Sequence, residues 1–261
     1  MSIDSVPIWV LFVGTIFIVM ASIEAGHRLG TSAHLQSEDE KESPVSGVSG
    51  AILGLTAFML VFTFGIVANR YDDRKALVRE DANSIRTAYA RTAFLPEPDR
   101  TEAKALLGRY LDLRVAFAQA QVLKAQSTAA WLADTNGIQR RLWDMAVANA
   151  EKDMTSDVAA LYIESLNELS EVNATRIAVA LQARIPSGIW LVLFGLTMLG
   201  MISIGYHMGI VGSNRSKATV ILAISFAMMI VVIAALDRPG AFAQVTQQPL
   251  LDLQEFIAGN K

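Results

Sequence analysis

Residues 47–68 read GVSGAILGLTAFMLVFTFGIVA, twenty-two positions without one charged side chain. A helix rises ~1.5 Å per residue, so ~20 apolar residues are enough to cross the hydrocarbon core of a bilayer. Three more runs of this kind flank the stretch. Residues 6–23 (VPIWVLFVGTIFIVMASI) precede it, and residues 187–206 (SGIWLVLFGLTMLGMISIGY) and 218–236 (ATVILAISFAMMIVVIAAL) follow it. Lipid offers no hydrogen-bond partners to a backbone, so such runs are expected to be helices. Asp4, with no Lys or Arg, precedes the first run, which is therefore read as a retained span and not as a signal peptide. Trp9 and Trp190 fall near run ends, where indole rings favour the headgroup level.

The composition agrees with this reading. Hydrophobic residues make up 52% of the chain, and the mean hydropathy is +0.38. A net charge of −3 offers nothing to nucleic acid. No cysteine is present for a disulfide or thiolate metal site, and the histidines are only His27, His34 and His207. No cofactor motif appears: there is no Gly-rich phosphate loop, nucleophile elbow or His-Glu metal pair on a helix. The chain is not expected to be an enzyme. Glu24 and His27, three apart at the end of the first span, could share a proton or a metal, or could simply be polar groups at headgroup level. His207 reads the same way. Asp237 and Arg238 directly follow the fourth span and are expected to pair with each other or to cap the helix.

Residues 70–186 differ in character, with sixteen basic and sixteen acidic side chains. Helical spacing dominates. The second span is expected to continue as one helix to about Thr92, where Pro96 and Pro98 end it. A helix over about 99–126 carries Leu106, Tyr110, Leu113 and Phe117 on one face. The next begins near Ser127 with Trp131, Ile138, Leu142 and Met145. A fourth runs from about Thr155 to Arg184, and Pro186 hands over to span three. The fold class is all-α: four transmembrane helices with a cytoplasmic helical bundle inserted between the second and third spans. The expected division is a membrane part over 1–69 (spans 6–25 and 47–69) and a helical domain over 70–186. A second membrane part covers 187–236 (spans 187–207 and 217–236), and a cytoplasmic tail covers 237–261.

Orientation follows from basic residues near span ends. Arg70, Arg74, Lys75, Arg79, Arg86, Arg176, Arg184 and Arg238 lie on the side of the insert and both termini; Arg28, Lys41, Arg215 and Lys217 lie on the other. Eight against four puts the insert and the termini in the cytoplasm of a bacterial inner membrane.

Span two carries the candidate site. Gly50, Gly54, Ala57 and Gly65 share a narrow face, with Gly47, Val61 and Ala68 in line, and small residues let helices approach closely in lipid. Phe58, Phe62 and Ile66 recur at steps of four beside it. That bulky line either faces lipid or a neighbouring helix, or surrounds an axis as a constriction that gates by dewetting.

Several segments together resemble the bestrophin-like family of bacterial membrane proteins. These are GAILGLTAFMLVFTFGIVANRYDDRKALVREDANSIR (50–86), residues 90–110 with LPEP at 95–98, Ile185-Pro186 before Trp190, and LDRPG (236–240) with Gln248-Pro249-Leu250. The resemblance implies kinship with bestrophin anion channels, which are pentamers with four spans per subunit. By that likeness Phe58 and Phe62 fall at two neck positions; with Ile66 in line by spacing they are the pore-constriction candidates, and Arg70 and Arg74, with Asp72 and Asp73 beside them, are the candidate cytoplasmic mouth. Arg70-Tyr71 resembles the family's Arg-aromatic pair beyond the neck. One neck position falls on Gly54, where the family has a bulky residue. No acidic cluster resembles the calcium clasp of animal bestrophins, and no metal is implied. The expected partners are membrane lipids, other copies of the chain and a permeant anion. The competing reading is a non-conducting scaffold or sensor whose helical domain recruits a partner.

A reporter active only in the periplasm, fused after Lys261, is expected to stay silent. A strong periplasmic signal would reverse the orientation.

Overall fold

The computed structural model describes residues 6–36, 42–120, 126–181, 184–212, 217–238 and 245–259. Every regular element among them is a helix. The order is α1 (Ile8–Gln36), α2 (Glu42–Arg91), a 3-10 turn (Thr92–Phe94), α3 (Asp99–Ala120), α4 (Gln126–Ala150), α5 (Asp157–Leu181), α6 (Ser187–Ile210), α7 (Ala218–Asp237) and α8 (Gln248–Gly259). Four of them, α1, α2, α6 and α7, are long and apolar enough to cross a membrane. The expected all-α fold with four spanning helices is therefore found. Two units form: Met1–Tyr71 with Arg184–Ala243, and Asp72–Ala183 with Gln244–Lys261.

α2 is a single helix of 50 residues. Pro44 sits in its first turn, where a missing N–H costs nothing, and no proline follows until Pro96. The tight turn at Thr92–Phe94, with Leu95 already extended, ends it at the place where Pro96 and Pro98 forbid continuation.

In the membrane unit the closest approach is between α1 and α6. A Cβ built on Gly26 would lie 2.0 Å from the Ile202 carbonyl oxygen, and one on Gly30 would lie 2.2 Å from that of Tyr206. The reverse holds for Gly205 against Ile23 (2.0 Å) and Gly209 against His27 (2.5 Å). Residue numbers rise together along the seam, so the helices run parallel. Both carry a GxxxG pair, Gly26/Gly30 and Gly205/Gly209, which the sequence reading passed over. Close backbone contact suits lipid, where van der Waals packing must supply what the hydrophobic effect supplies in water.

α2 packs antiparallel to α6 through hydroxyls. The Ser49 hydroxyl lies 2.6 Å from that of Ser203, and Thr56 Oγ1 donates to the Leu196 carbonyl at 3.2 Å. Ser49, Thr56 and Thr63, at steps of seven, are all buried and also bond the carbonyl one turn back. Leu60, Val67, Trp190, Leu193, Ile230, Ile233 and Ala234 close an apolar core between α2, α6 and α7. Trp190, in the first turn of α6, is buried in this core and stacked on Phe194, whereas Trp9 is exposed.

The second unit surrounds the far half of α2. Val78, Ala82, Ile85 and Ala88 pack with α3, α4, α5 and α8 in one apolar cluster. The expected α4 stripe, Trp131, Ile138, Leu142 and Met145, is buried throughout. On α3 the buried face is rotated from the expected one: Leu107, Tyr110, Leu111 and Val115 are inside, whereas Leu106, Leu113 and Phe117 are half-buried. That face is itself an apolar stripe, Ala103, Leu107, Leu111 and Val115 at steps of four, and Arg114 on the same side donates to Asp81. The last residues are more than a tail: α8 contributes Leu250, Leu253 and Ile257 to this core.

Gly26→Leu and Gly205→Leu should each destabilise the membrane unit, by ~3 kcal/mol or more, since neither helix backbone can give way. Gly14→Ala, on the same helix but with open space around its Cβ, should be neutral. The thermal midpoint of the detergent-solubilised chain checks all three.

Candidate functional site

At about 100° per residue the buried positions of α2 (Ser49, Thr56, Leu60, Thr63, Val67) define one face. Phe58 points almost directly away from it. Phe58 is 63% exposed in the single chain and Phe62 53%, and their rings stack at 6.3 Å between centroids, 16° from parallel. Ile66, one turn on, is half-buried. The small-residue face, Gly50, Gly54, Ala57 and Gly65, lies beside this line. A Cβ on any of its three glycines would meet nothing within 4 Å. Phe58, Phe62 and the glycine face towards Gly50 and Gly54 are therefore left largely uncovered inside the described chain, with more cover at Gly65 and Ile66, while the third face is spent on α6 and α7.

At the end of this helix segment lies a polar junction around Asp237 and Arg238, expected to pair with each other or to cap the helix. Arg238 does cap α7, its backbone N–H donating to the Ala234 carbonyl at 3.3 Å. The Asp237 carboxylate, 3% exposed, accepts the Ile185 backbone N–H at 3.1 Å (Oδ1) and 3.3 Å (Oδ2). Arg70 Nη1 also donates to its Oδ1, at 3.4 Å. The Arg238 side chain donates instead to the Val6 carbonyl. The junction thus joins the start of α1, the middle of α2, the approach to α6 and the end of α7. The chemistry is ordinary: a helix that ends on a buried carboxylate needs donors, and an N–H ahead of Pro186 and a guanidinium supply them. The LDRPG signal marked the spot, but the partners lie 52 and 167 residues away in sequence.

The remaining candidates are quickly placed. Glu24, expected beside His27, pairs with Arg28 at 2.8 Å, and among the described residues no group of three metal-ligating side chains forms. Arg74 and His207 are half-buried. A buried charge cluster at Asp81, Arg114 and Arg176 had no sequence signal beyond the presence of charged residues in a helical stretch.

The family model for the Bestrophin-like domain matches residues 12–243. This chain belongs to the bestrophin-like family. Among solved structures, it resembles a bacterial bestrophin homolog from Klebsiella pneumoniae. One single-substitution variant of that homolog superposes with a TM-score of 0.64 at 16% identity, covering 94% of this chain and 98% of the other. A second variant gives 0.64 and 16%, with 97% and 98% covered. A structure phased on zinc gives 0.59 and 17%, with 95% and 99% covered. No curated protein matches. At this level of identity the likeness establishes the bestrophin fold, and family and apolar helices together make the chain a membrane protein.

Asp237→Ala should leave the buried Ile185 N–H unpaired, at ~1–3 kcal/mol, and should cost Arg70 its carboxylate as well. Asp237→Asn, which keeps an acceptor for Ile185, should cost less. Thermal midpoints of the two variants should rank in that order below wild type.

Proposed function

We propose that the chain forms a homo-oligomeric anion channel in the bacterial inner membrane, with α2 of each copy around a common axis. The observation that carries this reading is the exposed phenylalanine line of α2, Phe58 and Phe62, flanked by a face of small residues whose glycines have open space beside them. Within one chain, neither line packs against another helix among the described residues at Phe58 or Gly54. In a ring of copies the two requirements are met together: Gly50, Gly54, Ala57 and Gly65 admit the neighbouring helix, and Phe58, Phe62 and Ile66 converge as a dry constriction. An ion crosses such a ring only by shedding hydration, at high cost, so the ring is a gate. Arg70 and Arg74 follow on the same helix as the cytoplasmic mouth. Arg70 shares its charge with Asp237, which leaves the mouth weakly rather than strongly positive. Five copies are the number favoured by likeness to bestrophins. The inserted helical unit and both termini are assigned to the cytoplasm on the distribution of Lys and Arg.

A scaffold without conduction is the second reading. It draws on the apolar side chains exposed on the helical unit: Trp143 and Val147 one turn apart on α4, Met154, and Val158 and Leu161 at the start of α5. Such a patch suits recruitment of a protein partner.

Reconstituted vesicles separate the two. Anion flux is measured for wild type, Phe58→Ala, Phe62→Ala and the double variant, with oligomer size checked in each. Higher flux at intact assembly is expected, because truncating the ring wets it. Gly54→Leu should reduce assembly. If the phenylalanines are instead interface residues, each truncation should lose ~3–5 kcal/mol of packing and assembly should fail without leak. Intact assembly with no flux in any variant would leave the scaffold ahead.

A further inference from the structure

The core of the helical unit holds an unbalanced charge. Asp81 is fully buried, and both its oxygens are used: Arg114 Nη2 donates to Oδ1 at 2.9 Å, and Arg176 Nη1 donates to Oδ2. The Arg114 side chain is 3% exposed and that of Arg176 18%. Arg176 Nη2 reaches the Gln247 carbonyl, a neutral acceptor, at 3.3 Å. Two guanidiniums thus face one carboxylate, and one positive charge is left over. Burying a charge without a counter-charge is costly, and an arginine does not readily give up its proton. Burial works against the charge on Arg176, while Asp81 works for it.

A second, separate observation lies at the same place. The Tyr110 hydroxyl and Arg114 Nε are buried and make no hydrogen bond of ordinary length among the described residues, although the Arg114 guanidinium lies near enough to the phenol to act on it. The Arg114 guanidinium sits 5.2 Å from the Tyr110 ring centre and 5.3 Å from that of Trp131. Burial keeps the phenol protonated, its pKa pushed up to about 12, so it remains a donor. Two buried donors are therefore spare beside a surplus positive charge. A water could accept from both donors but would leave the charge unbalanced. A small anion answers both deficits at once.

We propose that the helical unit binds a monovalent anion of chloride size, held by the Tyr110 hydroxyl and Arg114 Nε beside the Asp81–Arg176 pair. Its effect is structural. It completes the charge balance of a cluster that ties α2, α3 and α5 to Gln247, whose backbone carbonyl accepts the Leu250 N–H at the start of α8. The site is independent of conduction and stands whether or not α2 lines a pore.

The test uses the full chain purified in detergent at constant ionic strength, with chloride replaced stepwise by gluconate, which is too large to enter. The thermal midpoint should rise saturably with chloride, by several degrees. Tyr110→Phe removes one donor and should shift the half-saturating chloride concentration upward about tenfold. Arg176→Gln removes the surplus charge and should abolish the chloride dependence. Superimposable chloride and gluconate curves for the unaltered chain would overturn the proposal, as would a chloride response unchanged in Tyr110→Phe. Should either variant fail to fold, crystals of the unaltered chain grown in bromide decide. An anomalous peak in contact with the Tyr110 hydroxyl and Arg114 Nε is expected; a site occupied by water without anomalous signal refutes it.

Discussion

The membrane unit depends on one steric constraint: the α1 and α6 backbones meet with no room for a side chain at Gly26, Gly30, Gly205 or Gly209. In water, a hydrophobic face would press two helices together whatever their surfaces. In lipid that drive is absent, and close packing has to supply the association. Each glycine removes the only group that would hold the helices apart. Once α1 and α6 are joined, α7 lays its alanines (Ala223, Ala227, Ala234) into the same unit, and α2 has α6 to bind.

The α2 contact is different in kind. Ser49, Thr56 and Thr63 each satisfy their hydroxyl on their own helix first, and Ser49 and Thr56 then reach α6. Because a hydroxyl is small and already bonded, this seam is close without being costly in lipid. It also fixes how α2 is turned. With the hydroxyl face inward, the phenylalanine line and the glycine face must point out of the chain. The orientation of the candidate site is thus a consequence of three polar residues on the opposite side of the helix.

The helical unit balances its interior differently. Its core is mostly aliphatic, but it accepts Asp81, Arg114 and Arg176 deep inside, where ion pairing offsets part of the desolvation cost. Arg114 lies on the same side of α3 as the apolar stripe Ala103, Leu107, Leu111 and Val115, so the ion pair and the stripe enter the core together. Arg176 brings Gln247 into the network, and the turn that follows starts α8 as a further core helix.

Sequence alone determined the class of the elements and the number of spans: four charge-free runs long enough to span, a charged helical insert, and segments such as 50–86 and LDRPG that match one family in order. These are properties of composition and local spacing, and bilayer thickness translates them into helices with little ambiguity. The Trp131-to-Met145 stripe was equally legible, since a period near 3.6 needs no knowledge of the partner. What faces what was decided only by tertiary structure. Glycines at steps of four occur on α1, α2 and α6 alike, but among the described residues only those of α1 and α6 meet a backbone; nothing in a GxxxG pair names its partner. Asp237 takes Ile185 and Arg70, both far off in sequence, because geometry at a helix end is set by neighbours in space. A hydrogen bond or a close approach is a relation between distant segments, and that relation exists only once the chain has folded.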